Sequence, residues 1–205
     1  MGESLKIEVF RNKNAGDFTL SLADPGSRME TGSGAAMMAA VSAALLHRAA
    51  AHARTIHPEA DRVEYLLRNT EIIRNYMVHL IDEDVKARGP LRRALKEGGE
   101  REIEAARHPA AAICNEIINM MGQSISLADE LVPYCPKEAV HYIGESVETA
   151  LAAVKCARLY VVDMSGYCSD DTYRFIVRRE NEITLEGCTK TAEAVLAAVE
   201  KVINE

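Results

Sequence analysis

One acidic residue, Asp84, stands out because it lies on the apolar face of a predicted helix. Apolar residues recur at spacings of three and four between residues 58 and 88, and Asp84 continues that face. Its neighbours Asp82, Glu83 and Lys86 lie off the face. An inward carboxylate needs a partner or a function, because desolvating an unpaired charge is costly. Asp84 is therefore one half of a buried ion pair, a cap near the helix end, or a general acid or base.

A second candidate site is the glycine-containing stretch Thr31-Gly32-Ser33-Gly34, which precedes a long run of Ala, Met, Val and Leu. At the start of a helix, the backbone N–H groups of Gly32, Ser33 and Gly34 could hold an anionic ligand. The pattern is neither a P-loop nor a dinucleotide-binding motif. The other interpretation is a tight turn before a helix whose small side chains let neighbouring helices pack closely.

A third candidate is a polar stripe on the helix predicted over residues 137–164. Tyr142 and Tyr160 both belong to it, but they are 18 residues apart and therefore about 27 Å apart along the axis. They cannot both contact one small ligand. The stripe is either a seam between helices or subunits or the wall of a ligand groove. Its members are Tyr142, Ser146, Thr149, Ala153, Cys156, Tyr160 and Asp163.

Neither a metal site nor a disulfide framework is predicted. His47, His52 and His57 are spaced by five residues, so successive side chains point about 140° apart around a helix and do not converge. The cysteines are odd in number and no pair has CxxC spacing, which favours reduced thiols. They are Cys114, Cys135, Cys156, Cys168 and Cys188.

The composition and net charge of the chain argue against several classes of protein. The 205 residues carry a net charge of −7, which argues against a nucleic-acid or membrane-surface role. The first residues lack the apolar stretch of a signal peptide, so we expect a cytoplasmic protein. Charged and histidine residues between His47 and Arg54 interrupt the Ala-rich run, which argues against a membrane span. Aromatic residues make up only 5% of the chain, so the core must be aliphatic and rich in small residues.

These patterns predict an all-α, multi-helix bundle that forms a homodimer, with an N-terminal arm at residues 1–16 and one helical domain at 17–205. Residues 5–9 alternate and could form a short strand within the arm. A short helix capped by Asp17 should end at Asp24-Pro25-Gly26. Longer helices are predicted up to residue 56 and over 58–88, 100–131 with a kink at Pro109, 137–164 and 169–203, with a short helix ending at Gly98-Gly99.

Taken together, the sequence resembles the cyclodeaminase/cyclohydrolase family. The family comprises the cyclodeaminase half of formiminotransferase-cyclodeaminase and stand-alone methenyltetrahydrofolate cyclohydrolases. The resemblance covers about residues 17–203. "TGSGAAMMAAVSAAL" resembles the family's glycine loop and Ala-rich helix, and "DEDVKA" resembles the segment around its acidic site residue, with Asp84 on the aspartate. "DFTLSLA", "AARHPAA" and "IGESVETALAAVKCARLYVV" resemble further family segments in the same order.

The sequence also departs from the family's pattern. Glu30 stands where the family's glycine loop begins with proline, and the lysine-rich turn after the Ala-rich helix is absent. His141 and Tyr142 stand at the family's Ser-Asp, while Tyr160 and Met164 each stand at an Asn. Several polar groups that handle the folate adduct in the family are therefore replaced.

The resemblance implies a homodimer with a cleft near the subunit interface and a folate or pterin ligand. In that cleft Asp84 would be the acid/base, and Gly32, Ser33 and Gly34 would frame the substrate. The side chains of His141, Tyr142 and Tyr160 would line the rest of the cleft. The implied substrate is a tetrahydrofolate adduct, and neither a metal nor another cofactor is expected.

The leading functional interpretation is a methenyltetrahydrofolate cyclohydrolase, which adds water to a cyclic amidinium and opens the ring. It is preferred because the chain carries no formiminotransferase domain. A further alternative is a formiminotetrahydrofolate cyclodeaminase, which closes the ring of the formimino adduct and expels ammonia. The other alternative is a diverged member without this activity, acting as a binding or interaction protein or on another cyclic amidine or pterin.

Overall fold

The computed structural model describes residues 9–205, and that part of the chain is an all-helical bundle without a strand. The predicted all-α class is confirmed. The possible strand at residues 5–9 lies almost wholly outside the described residues. The helices are α1 (Ala15–Ala23), α2 (Thr31–Ile56), α3 (Asp61–Ala87), α4 (Gly89–Glu97), α5 (Glu100–Leu131), α6 (His141–Gly166) and α7 (Asp171–Asn204). Two 3₁₀ turns, Val132–Tyr134 and Lys137–Ala139, join α5 to α6.

The helix boundaries differ from the sequence predictions where local capping decides them. Asn14, not Asp17, caps α1, because the Asn14 side chain accepts a hydrogen bond from Asp17 N. Helix α1 therefore begins at Ala15, two residues before the predicted start of the helical domain at residue 17. Pro58 is not the first residue of α3, which begins at Asp61 after the cap residue Ala60. Helix α5 continues through Pro109 as one element.

Helix α2 lies in the core and packs mainly against α3 and α6. Most of its buried positions are Ala, Gly or Ser, which allows close approach. Ser42 on α2 donates a 2.8 Å hydrogen bond to the carbonyl of Ser146 on α6. By length and composition α2 is apolar enough to cross a membrane, contrary to the expectation that its charges interrupt it. Half of its most apolar window is buried within the bundle, as is typical of a core helix.

Helix α3 buries the predicted apolar face, and Asp84 lies on it with an exposed fraction of 0%. Asp82, which the sequence analysis placed off this face, is also buried, with an exposed fraction of 8%. Asp82 is covered by the segment before α1, where Phe10 N donates a 2.7 Å hydrogen bond to its Oδ1 and Arg11 Nε lies 3.3 Å from its Oδ2. The segment before α1 thus buries Asp82 through a tertiary contact, which the spacing of apolar residues within α3 does not predict.

All five cysteines are free thiols, and no two of them are joined. Between residues 9 and 205, no three His, Cys, Asp or Glu side chains are grouped so that they could hold a metal ion.

Candidate functional site

The glycine-containing stretch forms the first turn of α2 rather than a turn ahead of it. Helix α2 begins at Thr31, so Gly32, Ser33 and Gly34 are helical. Its N-cap residue, Glu30, makes no side-chain capping hydrogen bond. The N–H groups of the first turn have no intrahelical partner and need acceptors from elsewhere.

Asp84 supplies one such acceptor from α3. Its Oδ2 accepts a 2.9 Å hydrogen bond from Ser33 N and lies 3.0 Å from Ser33 Oγ. The same hydroxyl lies 3.0 Å from the carbonyl of Ile81, so it donates to one of the two oxygens at a time. Asp84 therefore caps α2 across a tertiary contact, and its negative charge faces the positive end of the helix dipole. The sequence analysis had considered a cap near the end of the helix that carries Asp84, not a cap on α2.

Gly32 makes this approach possible. A Cβ at position 32 would lie 2.0 Å from Asp84 Oδ1 and 2.4 Å from its Cγ, far inside contact distance. Gly34 faces a different neighbour, since a Cβ there would meet the Leu22 methyl groups at 3.4 and 3.6 Å. Of the two glycines, only Gly32 is required by the position of Asp84. Gly34 packs toward α1 instead of framing the carboxylate.

Arg88 completes the cluster and was missed by the sequence analysis. It is only 1% exposed, and its Nε lies 3.1 Å from Asp84 Oδ1. The guanidinium also forms an ion pair with Glu30 and lies 3.8 Å from the ring centre of Tyr160. Nη1 is the atom that pairs with Glu30. The available signal was spacing, because Arg88 lies four residues after Asp84 on the same helix.

Burial sets the electrostatics of this group, which we call the Asp84 cluster: Ser33, Asp84, Arg88 and Tyr160. Loss of solvent raises the pKa of Asp84 to about 6, against the lowering effect of the two Ser33 hydrogen bonds and of Arg92. The nearby Arg88 charge also favours the ionised carboxylate. Burial lowers the pKa of Arg88 and raises that of Tyr160. The carboxyl of Asp84 therefore exchanges its proton closer to neutrality than an exposed aspartate does.

Two other predicted site residues, His141 and Tyr142, belong to a separate group at the opposite end of α6. The Tyr142 ring stacks on His52 with a centroid distance of 6.0 Å, and Arg48 lies 4.6 Å from its centre. The ring of His141 lies 4.0 Å from the Tyr142 ring, measured between the two ring centres. We call these four residues the Tyr142 cluster. It is separated from Tyr160 by about five helical turns.

The structure thus brings together Gly32, Ser33, Asp84 and Tyr160 but not His141 and Tyr142. The predicted polar stripe divides along its length, because Ser146 is buried against α2 and serves as part of an interhelical seam. A substrate-binding role for His141 and Tyr142 stays a prediction.

A family model described as formiminotransferase-cyclodeaminase matches residues 14–182, well over half of the chain. The chain belongs to the formiminotransferase-cyclodeaminase family. This confirms the resemblance stated from the sequence motifs. A search of curated proteins finds no match to the chain.

Among solved structures, the chain is similar to formiminotetrahydrofolate cyclodeaminase from Thermotoga maritima. The TM-score is 0.77 at 19% sequence identity, and the alignment covers 94% of this chain and 96% of that one. At this identity the likeness establishes the shared fold. The bundle described above is therefore the fold of that cyclodeaminase over nearly its whole length.

Within this member of the formiminotransferase-cyclodeaminase family, two departures from the family pattern meet at one side chain. Glu30, which the resemblance aligns with the family's proline, forms the ion pair with Arg88. Tyr160, which the resemblance aligns with an asparagine of the family, packs its ring against the same guanidinium. The two replacements are thus parts of one arrangement that surrounds the aspartate retained from the family pattern.

Proposed function

We propose that the protein is a formiminotetrahydrofolate cyclodeaminase that uses Asp84 for proton transfer. Membership of the family supports a role in one-carbon folate metabolism. The observation that carries the proposal is the buried Asp84 carboxyl, with a pKa of about 6, at the N-terminus of the glycine-containing helix. General acid–base groups work best with pKa values near the operating pH.

The comparisons favour cyclodeaminase over the cyclohydrolase that the sequence analysis preferred. That preference depended on the expectation that no formiminotransferase domain accompanies this one. The Thermotoga chain named formiminotetrahydrofolate cyclodeaminase is itself covered for 96% of its length by this chain. A chain that this one covers almost entirely thus bears the cyclodeaminase name, and the reason for preferring hydrolysis is removed.

One proton must move during the proposed reaction. The substrate nitrogen N10 attacks the formiminium carbon attached to N5 and forms a tetrahedral intermediate. The ionised Asp84 takes the N10 proton and returns it to the departing nitrogen. The carbon–nitrogen bond to that group then breaks, releasing ammonia and leaving the methenyl cation. Charge and atoms balance, so the step consumes neither an oxidant nor water.

Access to Asp84 requires movement of Arg88. In the described chain the carboxyl is 0% exposed, whereas Glu30, which holds the guanidinium, is 45% exposed at its side chain. Opening of the Glu30–Arg88 contact would let the guanidinium move away from the carboxyl. Substrate binding would supply the free energy for that change.

The test is a coupled measurement on the purified chain with 5-formiminotetrahydrofolate. We expect the methenyl absorbance to rise while one equivalent of ammonia is released. Decay of added methenyltetrahydrofolate without ammonia production from the formimino compound would instead support the cyclohydrolase. Neither reaction above the uncatalysed rate would reject both enzymes.

The residue assignment is tested with Asp84→Asn, which removes the titrating group but keeps the size of the side chain. We expect the single-turnover rate to fall roughly 10²–10⁴-fold with the fold intact, the usual effect of losing a general acid or base. Asp129→Asn is the matched control, since Asp129 is exposed on α5. An Asp84→Asn protein that is stable and fully active would end the catalytic assignment.

A second candidate function is a diverged binding protein on the same bundle. The observation in its favour is the complete burial of Asp84 and Arg88, which satisfies the carboxylate structurally without any substrate. For this candidate, 5-formyltetrahydrofolate or another pterin should bind without turnover. Binding by calorimetry together with an inactive formimino assay would select it.

We infer that the protein is a homodimer located in the cytoplasm. Exposed apolar side chains on the neighbouring helices α2 and α6, Val41 at 46% and Leu159 at 66%, support a subunit contact. Sedimentation equilibrium at micromolar concentration should give twice the mass of the chain. A compact monomer would contradict the inferred dimer.

A further inference from the structure

The side chain that covers Asp84 is held by contacts from two other helices. Arg88 is only 1% exposed, and its Nε lies 3.1 Å from Asp84 Oδ1 on the same helix. Its Nη1 pairs with Glu30, the N-cap residue of α2. Its Cζ lies 3.8 Å from the centre of the Tyr160 ring on α6. A long and flexible side chain is thus fixed in one position from three sides.

Both oxygens of the Asp84 carboxyl are occupied in this arrangement. Oδ1 faces Arg88 Nε, and Oδ2 accepts the 2.9 Å hydrogen bond from Ser33 N. The carboxyl is 0% exposed. A molecule from solution can therefore exchange a proton with Asp84 only after one of these contacts has opened.

The contact on the Arg88 side is the one that can open without disturbing the bundle. Ser33 N belongs to the backbone of the first turn of α2. The same turn fits tightly against the carboxyl, since a Cβ on Gly32 would lie 2.0 Å from Asp84 Oδ1. Moving Ser33 away would shift the start of a core helix, whereas moving Arg88 away requires only rotation of its side chain.

Glu30 is the partner of Arg88 that water reaches most easily. It makes no capping hydrogen bond with its side chain, so its carboxylate is available for the tertiary contact with Arg88. The Glu30 side chain is 45% exposed, whereas Asp84 is buried and Tyr160 is partly buried. An ion pair with one exposed partner is the weakest of the three contacts, because water can solvate the freed carboxylate.

We propose that Glu30 and Tyr160 are positioning residues that hold Arg88 over Asp84 and keep the carboxyl inaccessible until the Glu30–Arg88 contact opens. Glu30 acts as the latch, and the Tyr160 ring supports the guanidinium from its face. The role of both residues in turnover rests on the proposed function. The covering of Asp84 in the free protein does not, so it can be measured without any substrate.

Carbodiimide labelling measures access to the carboxyl directly. The reagent, used with a small amine, converts accessible carboxyl groups to amides, and tandem mass spectrometry locates each product. In wild type we expect Asp84 to stay unlabelled while the exposed Asp129 on α5 reacts. Glu30→Gln keeps the size of the side chain and removes the latch charge, so labelling of Asp84 should become about tenfold faster.

The matched control for that variant is Glu182→Gln. Glu182 on α7 is 48% exposed and lies 3.4 Å from Arg179, so it is an ion-paired glutamate of similar exposure away from Asp84. Its substitution should leave the labelling of Asp84 as in wild type. Tyr160→Leu keeps an apolar side chain but removes the ring, and it should also speed the labelling. Equal labelling of Asp84 in wild type and Glu30→Gln, or labelling of wild-type Asp84 as fast as Asp129, would overturn the latch.

Steady-state kinetics separates the latch from a merely structural contact. If opening precedes binding, the apparent affinity for substrate is reduced by the fraction of closed protein. Glu30→Gln should then lower KM for 5-formiminotetrahydrofolate and raise kcat/KM by a similar factor, while Glu182→Gln changes neither. A fall in kcat/KM of Glu30→Gln would overturn the role in substrate binding. Faster labelling of Asp84 in a protein without cyclodeaminase activity would support the latch and reject the proposed function alone.

Discussion

The Asp84 cluster and the Tyr142 cluster lie at opposite ends of the same helix pair, α2 and α6, but differ in their contact with water. Asp84 and Arg88 are 0% and 1% exposed, whereas Arg48, His52 and His141 are exposed. At the first end each charge must find a partner inside the protein. At the second end water solvates the polar groups, and the ring contacts contribute little to the stability of the fold.

This difference shows that residue type alone does not make a site. Both clusters contain side chains able to transfer protons or stack on a ligand. Only the Asp84 cluster combines a shifted pKa, a helix N-terminus and a steric requirement for glycine. Substitutions should therefore have large effects in the first cluster and small effects in the second.

The largest effect on stability is expected from Arg88→Met, which keeps much of the side-chain volume but removes the charge. It leaves the Asp84 carboxylate buried without a buried cation beside it. Removing one partner of a buried ion pair typically costs about 3–5 kcal/mol in stability. Chemical denaturation at pH 7 measures the loss. The double variant Asp84→Asn/Arg88→Met should recover part of it. A loss no greater than that of an exposed substitution would mean that the pair contributes nothing.

Gly32→Ala should be the next most damaging change. The added methyl group would lie 2.0 Å from Asp84 Oδ1, so the carboxylate must move and its hydrogen bonds to Ser33 must lengthen. We expect a loss of about 3 kcal/mol in the free energy of unfolding.

Gly34→Ala is the control for that variant, since its added methyl group meets only the Leu22 side chain at 3.4 Å. It should be neutral or more stable by up to about 1 kcal/mol, because alanine favours helix. Similar losses at both positions in thermal unfolding would contradict the special role of Gly32.

The pH dependence of stability should change sign relative to that of an ordinary aspartate. Burial raises the folded-state pKa of Asp84 from 3.8 to about 6, so between these values the native state binds more protons than the unfolded state. Stability contributed by this residue is therefore full below about pH 4 and lost as the pH rises to about 6. The loss is at most about 3 kcal/mol, because the Arg88 charge favours the ionised form.

The measurement is the difference in unfolding free energy between wild type and Asp84→Asn across that pH range. The difference should shift against wild type as the pH rises. A constant difference would show that the carboxyl does not titrate in this window, and an opposite slope would show that its pKa is lowered by Arg88 and Ser33.

The smallest effect is expected from His141→Ala in the Tyr142 cluster. His141 is exposed and its described contact is with the neighbouring Tyr142 ring, so stability should change by no more than about 0.5 kcal/mol. Equilibrium denaturation alongside wild type measures this. A loss comparable to that of Gly32→Ala would remove the contrast between the two clusters.

The sequence by itself determined the helical class, the inward position of Asp84 and the membership of the family. Spacing of apolar residues in α3 placed Asp84 on the buried face, because a helix repeats every 3.6 residues. The motifs around Gly32 and Asp84 carried the family resemblance. The close packing of α2 likewise follows from its alanine and glycine content.

Only the tertiary structure decided which polar residues meet. The contact between Asp84 and Ser33 joins residues 51 positions apart, and no helical periodicity relates α2 to α3. Arg88 draws Glu30 and Tyr160 to one guanidinium from two other elements of the chain. The burial of Asp82 arises in the same way. Charge pairing and water exclusion depend on how helices are placed in space, and local sequence patterns do not specify that placement.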